Sequence, residues 1–150
     1  MSNRILIIDD EPAVVDLLKA FLADVSDDIL GLNTARNIEK SFLEFEPDLV
    51  LLDLHIPEVD GLEVLRRLAG IRSRLGFVPV IVLTGDMART ARYSSLALGA
   101  DDFLVKPLDR MEVILRVRNM LRTRHLTVEL AEARAAAELR QTGGQALETK

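Results

Sequence analysis

Leu49-Val50-Leu51-Leu52-Asp53 decides how the chain folds. Four apolar residues run without interruption and stop at a carboxylate. A strand with one wet face alternates apolar and polar residues. An unbroken run marks a strand covered on both faces, as in a parallel sheet between layers of helices. Outward from this stretch, residues 5–8 (Ile-Leu-Ile-Ile) and 80–83 (Val-Ile-Val-Leu) repeat the form. Residues 29–32 give a weaker run, broken by Gly31, and residues 102–105 give a fifth after Gly99-Ala100.

Helical patterns lie between these runs. Val14, Leu17, Leu18, Phe21 and Leu22 fall at i, i+3, i+4, i+7 and i+8, one apolar stripe, and Pro12 suits the first turn of that helix. A second helix is expected over about 36–45, ending before Pro47. A third follows Gly61 and carries Leu62, Leu65, Leu68 and Ala69. A fourth covers about 87–98, and a fifth begins near Leu108, just after Pro107. Five βα repeats imply an α/β fold: an open, doubly wound, five-stranded parallel sheet with helices on both faces.

The bulk numbers allow this. The chain has 150 residues, enough for one domain with a proper core, and 49% of them are apolar, which argues against overall disorder. A net charge of −5 gives no general attraction to nucleic acid or anionic membrane. There is no cysteine, so neither a disulfide nor a thiolate metal site, which suits a reducing cytoplasm. No run approaches the roughly 20 apolar residues that span a bilayer, and the apolar run after Met1-Ser2-Asn3-Arg4 is too short for a secretory signal.

Open parallel sheets bind ligands at the carboxyl ends of their strands. The first strand ends in Asp9-Asp10, the third in Asp53, the fourth in Thr84 and the fifth in Lys106-Pro107. Unit charges about 4 Å apart interact by roughly 4 kcal/mol at an effective dielectric near 20, so three converging carboxylates need a cation or a raised pKa. A hard divalent ion with oxygen ligands answers this. Lys106 adds an ammonium and Thr84 a hydroxyl donor. Nucleophile, charge neutraliser and oxygen ligands around one point make a phosphoryl-transfer site.

Four motifs, each at a strand end, resemble the receiver domain of two-component response regulators over about residues 3–122. They are Ile8-Asp9-Asp10-Glu11-Pro12; Leu52-Asp53-Leu54-His55-Ile56-Pro57-Glu58-Val59-Asp60-Gly61; Leu83-Thr84-Gly85; and Phe103-Leu104-Val105-Lys106-Pro107. The resemblance implies a flavodoxin-like strand order, 2-1-3-4-5. It makes Asp53 the phosphoacceptor and Asp10 a direct ligand of Mg²⁺ (or Mn²⁺), with Asp9 acting through water and the backbone carbonyl of His55 as a further ligand. It gives Thr84 and Lys106 a phosphoryl oxygen each, makes the bond before Pro107 cis, and casts Phe103 as an aromatic switch that turns inward as Thr84 moves. The implied donor is a sensor histidine kinase or phosphotransfer protein. The chain's own chemistry would be autophosphotransfer and slow autodephosphorylation. His55 and Asp86 depart from the commonest family residues at positions that tune phosphoryl lifetime.

Plainer readings stand beside these. Asp9 and Asp10 could cap the following helix, Thr84 could be a turn hydroxyl, Lys106 surface charge, and Phe103 a fixed core aromatic. Two other functions compete. A phosphohydrolase of the haloacid-dehalogenase type also uses Asp, Thr, Lys and Mg²⁺, but its Asp-x-Asp-x-Thr ends the first strand, where this chain has Asp9-Asp10-Glu11-Pro12. A phosphorylation-independent dimerisation module would not need the acidic set.

The fifth helix has two apolar stripes: Met111, Ile114, Leu115 and Leu121, and Val113, Val117 and Met120. One faces the sheet and leaves the other for a partner, expected to be a second copy in a homodimer. Arg116, Arg118, Arg122 and Arg124 read better as a solvated face than as a nucleic-acid surface. Leu126, Leu130, Ala133 and Ala137 then step by 4, 3 and 4, a coiled-coil seam. The expected organisation is a receiver over 1–123, a helical linker over 124–141, and a disordered tail over 142–150 after the break at Gly143-Gly144. The run-on helix favours the first piece of a longer regulator with an unidentified output, often an enzyme of cyclic-dinucleotide metabolism or a histidine kinase in such architectures.

Overall fold

The computed structural model describes residues 3–57, 59–85, 96 and 98–148. In chain order its elements are β1 (Arg4–Ile8), α1 (Pro12–Phe21), β2 (Asp28–Leu32), α2 (Ile38–Phe45), β3 (Leu49–Asp53), the two-residue strands β4 (His55–Ile56) and β5 (Val59–Asp60), α3 (Gly61–Leu75), β6 (Val80–Thr84), β7 (Asp102–Val105) and a C-terminal helix (Arg110–Glu148). The fourth helix expected over about 87–98, and Asp86 before it, fall outside the described residues except for Leu96 and Leu98.

Five strands form one parallel sheet in the order β2-β1-β3-β6-β7. Without the short β4–β5 hairpin this is the expected order, 2-1-3-4-5. The unbroken apolar runs are explained by where alternate residues point. Leu6, Ile8, Val50, Leu52, Val80 and Val82 pack with Ile38, Phe42, Val64, Leu65 and Leu68 of α2 and α3. Ile5, Ile7, Leu49, Leu51, Ile81 and Leu83 pack on the opposite face with Val15 and Leu18 of α1 and Val113, Val117 and Leu121 of the C-terminal helix. Full burial of each such side chain is worth roughly 1.5–3 kcal/mol, so a polar residue at either parity would be costly. β2 is half-buried along its whole length, which is why it reads weakly. Its Gly31 lets α1 sit close: a Cβ there would lie 2.3 Å from Val15 Cγ1.

Local chemistry sets the element ends. Glu46 takes the left-handed conformation at the end of α2, just before Pro47. Asp60 caps α3 by accepting from the Leu62 N–H at 3.0 Å, and Asp109 accepts from the Glu112 N–H at 2.9 Å to start the C-terminal helix. The β4–β5 hairpin, which the sequence did not suggest, folds the segment after Asp53 back on itself, pairing His55 with Asp60.

Two expectations for the C-terminal helix are corrected. Leu121 belongs with Val113 and Val117, at i, i+4 and i+8, and this set faces the sheet. Met111 and Leu115 stay exposed, and Met120 packs at the margin of the core. The helix also runs through Gly143 and Gly144 to Glu148 rather than giving way at residue 142. Glycine weakens a helix interior by about 1 kcal/mol against alanine, which does not by itself end one. The turn before it is secured by Thr142 Oγ1, which donates to the Glu138 carbonyl at 2.9 Å.

Candidate functional site

The sheet brings the polar strand ends together. After β1 the chain winds outward to β2 and then returns to β3 on the other side of β1, so the crevice where the winding reverses lies above β1 and β3. Asp9 follows β1 and Asp53 ends β3. β6 lies beside β3, with Asp53 in register with Leu83, so Thr84 is one residue further along. β7 pairs Val105 with Thr84, and the Lys106 N–H donates to the Thr84 carbonyl at 2.8 Å. This bond carries Lys106 over the sheet edge. The Lys106–Pro107 peptide bond is cis.

Asp9, Asp53 and Thr84 are buried, while Asp10 is half-buried. Carboxylate oxygens of Asp9, Asp10 and Asp53 all lie within 4.8 Å of one another. Backbone amides fix the two buried acids: the Glu11 N–H donates to Asp9 Oδ1 at 3.0 Å and the His55 N–H to Asp53 Oδ1 at 3.0 Å. Their other oxygens face Lys106, whose Nζ lies 3.0 Å from Asp9 Oδ2 and 3.5 Å from Asp53 Oδ2. The contact with Asp9 is an ion pair without hydrogen-bond geometry, so this buried oxygen has no hydrogen bond among the described residues.

The charges respond as expected. Burial and then the nearby Asp9 charge raise the Asp53 carboxyl above its ordinary value, opposed by the His55 amide and Lys106. Burial works against the Lys106 ammonium, but Asp9 and Asp53 outweigh it and its pKa is raised. One ammonium against three carboxylates leaves the cluster two negative charges in excess. Together with the unbonded, buried Asp9 oxygen and the all-oxygen donor set, this fits a hard divalent cation.

Two of the residues singled out from sequence sit differently from the rest. The His55 side chain is exposed; only its backbone touches Asp53. Phe103 is half-buried in β7 against the core shared with α2 and α3, two residues short of Val105. The Arg116 guanidinium carbon lies 5.9 Å from its ring centroid, and Arg116 also bonds both oxygens of Asp102, at 2.9 and 3.0 Å. That contact and the ion pair of Arg72 with Asp101 at 2.8 Å escaped the sequence reading. Spacing along the chain carries no sign of a pair formed between a helix and a distant strand.

Comparison with known proteins agrees with this geometry. The family model for the response regulator receiver domain matches residues 5–118. The chain is 37% identical over 149 residues to the transcriptional regulatory protein AruR of Pseudomonas aeruginosa, covering 95% of this chain and 59% of that protein. It is 38% identical over 136 residues to the transcriptional regulatory protein SrrA of Staphylococcus aureus, covering 90% and 55%. The chain therefore spans little more than half the length of these curated relatives. Among solved structures, the signal receiver domain of a LuxO repressor protein from Vibrio parahaemolyticus superposes with a TM-score of 0.77 at 26% identity, over 88% of this chain and 98% of that one. Carrying the strand order, the buried acidic crevice and the sequence match together, the chain belongs to the response regulator receiver domain family.

Proposed function

We propose that Asp53 accepts a phosphoryl group from a phosphohistidine of a sensor histidine kinase or phosphotransfer protein. The P–N bond of the donor breaks, a P–O bond to the Asp53 carboxylate forms, and the imidazole nitrogen keeps the electron pair. The observation that carries this reading is the Lys106 ammonium held between two buried carboxylates, 3.0 Å from Asp9 and 3.5 Å from Asp53. A lone strand-end acid would not need such company.

Asp9, Asp10, Asp53 and the backbone carbonyl of His55 would hold Mg²⁺ or Mn²⁺. When bound, the ion supplies neutralisation of the carboxylates and of the incoming phosphoryl oxygens. The His55 amide orients the Asp53 carboxylate. Lys106 offers its ammonium to one phosphoryl oxygen and Thr84 its hydroxyl to another, and Phe103 follows Thr84 as the switch. Turnover is limited to self-phosphorylation and slow self-dephosphorylation, in the cytoplasm. The Met111 and Leu115 face and the Leu126, Leu130, Ala133 and Ala137 seam pair two copies of the chain, and the switch acts on an output carried by a longer regulator or a partner.

The test is intact mass after incubation with Mg²⁺ and acetyl phosphate. One phosphoryl adduct, absent in Asp53→Asn, is the expected result. No adduct with any donor, or an adduct that survives that substitution, rejects the proposal.

A further inference from the structure

The far end of the sheet holds an ionic contact that the acidic site does not use. Among the described residues, the last side chain of the C-terminal helix ion-paired to the body of the fold is Arg124, with Nη2 3.1 Å from Asp48 Oδ1. Asp48 is itself fixed. Its Oδ2 accepts the Arg4 backbone N–H at 2.7 Å, and its own N–H donates to the Arg4 carbonyl at 2.7 Å. Arg4 in turn reaches Asp28 at 3.3 Å and the Phe45 carbonyl at 3.1 Å. One oxygen of Asp48 thus belongs to the sheet and the other is offered to the helix. Past Arg124, Leu126 and Leu130 are more than half exposed. The match to the family model ends at residue 118, six residues before Arg124.

We infer that Asp48 and Arg124 form a reversible ionic latch that sets where the C-terminal helix leaves the receiver fold. Among the described residues, Leu121 is the last buried apolar residue of the helix facing the sheet, and the latch adds one further turn. Its strength is limited on two counts. Arg124 Nε is buried without a hydrogen bond, and an N–H taken out of water unpaired weakens the closed arrangement. The pair is also partly exposed, with side chains 28% and 20% accessible, so salt screens it. The closed form is therefore favoured but breakable, and opening releases the turn at residues 121–124. β3 begins directly after Asp48 and ends in Asp53, so one strand joins the latch to the acidic crevice. The latch itself does not depend on what Asp53 accepts.

Backbone amide hydrogen exchange on the full chain tests this, at a dilution where light scattering reads a monomer. In Arg124→Gln and in Asp48→Asn, which keeps an oxygen for the Arg4 N–H, amides at 121–126 should exchange about fivefold faster, the upper range for a partly exposed pair. The double variant should be no faster than the faster single one. Arg124→Lys should stay near wild type, the gap should narrow in high salt, and β1 and β3 amides should be unchanged in Arg124→Gln. Unchanged exchange in Arg124→Gln, equal exchange in Arg124→Lys and Arg124→Gln, or a double variant at the product of the two single effects overturns the latch.

Discussion

Lys106 leans on Asp9 rather than on Asp53: its ammonium lies 3.0 Å from the first and 3.5 Å from the second. The cation is thus held by a residue other than the proposed acceptor, and Asp53 stays less than fully compensated in a crevice it shares with two other acids.

The first prediction follows from the excess of two negative charges. Mg²⁺ should stabilise the protein, by about 2.7 kcal/mol at a hundredfold excess over its dissociation constant. Asp10→Asn removes both a like charge and a ligand, so without metal it should be more stable than wild type by about 1 kcal/mol. Its response to Mg²⁺ should shrink. Thermal unfolding with and without Mg²⁺ checks both. A variant less stable than wild type yet fully responsive would mean that the three carboxylates do not share a cation.

Acid should relieve Asp53. Its folded carboxyl is raised above 3.8, chiefly by burial and then by Asp9, against the His55 amide and Lys106. The folded state therefore binds this proton more tightly than the unfolded chain. Ionised Asp53 costs stability above its folded pKa, and the cost fades as pH falls through that value towards 3.8. Lys106 has the opposite sign: its contribution is complete below 10.5 and is lost as pH rises through its raised value. Without divalent ions, Asp53→Asn should be more stable than wild type at pH 7, with the difference shrinking as the pH is lowered to 3.8. Urea midpoints at the two pH values decide it, and a gap that does not move with pH contradicts the shift.

The sequence made legible whatever depends on neighbours along the chain. The double-sided burial of residues 49–52 is plain because both parities are apolar, and Asp9, Asp10, Asp53, Thr84 and Lys106 stand out as candidates because each follows or ends such a run. What depends on contacts across the fold was hidden. The grouping of Leu121 with Met111, Ile114 and Leu115 fails because these residues fit a helical period with it equally well, and only the sheet selects Val113, Val117 and Leu121. The β4–β5 hairpin was missed because two-residue strands leave no periodicity. Gly143-Gly144 was overread as a break, since glycine's cost is small against the length of helix on either side.

Gly61 should be the least replaceable glycine near the site. A Cβ there would stand 2.4 Å from both the Leu54 Cα and the Leu54 carbonyl oxygen. Those atoms are backbone, next to Asp53, and cannot turn aside as the end of a flexible side chain can. The Gly61 N–H also donates to the Leu54 carbonyl at 3.2 Å, closing the loop that carries the hairpin. Gly61→Ala should cost about 1–3 kcal/mol, the usual penalty for overpacking, and should slow acceptor labelling by displacing the His55 amide from Asp53. Gly70→Ala, where a Cβ would meet nothing within 4 Å, is the control and should be neutral or slightly stabilising. Denaturant melts of the pair measure the difference, and equal stability would mean that the segment after Asp53 yields easily.

The exposed seam makes the last prediction. Leu126 and Leu130 are 57% and 52% exposed on a helix with little left to pack against within its own chain. Continuous with them, Met111 at 60% and Leu115 at 53% lie on the same helix nearer the fold. Two copies meeting along residues 126–137 would cover the leucines, but alanines at 133 and 137 bury little, so the seam alone should associate weakly. Pairing should therefore need the Met111 and Leu115 face as well. Light scattering across a concentration series should show a dimer for the full chain, a monomer for Leu126→Glu combined with Leu130→Glu, and a weakened dimer for Leu115→Ser. If phosphorylation acts through this surface, acetyl phosphate with Mg²⁺ should shift wild type towards dimer and leave Asp53→Asn unmoved. A chain that stays monomeric at every concentration, phosphorylated or not, removes the second copy as the partner of this helix.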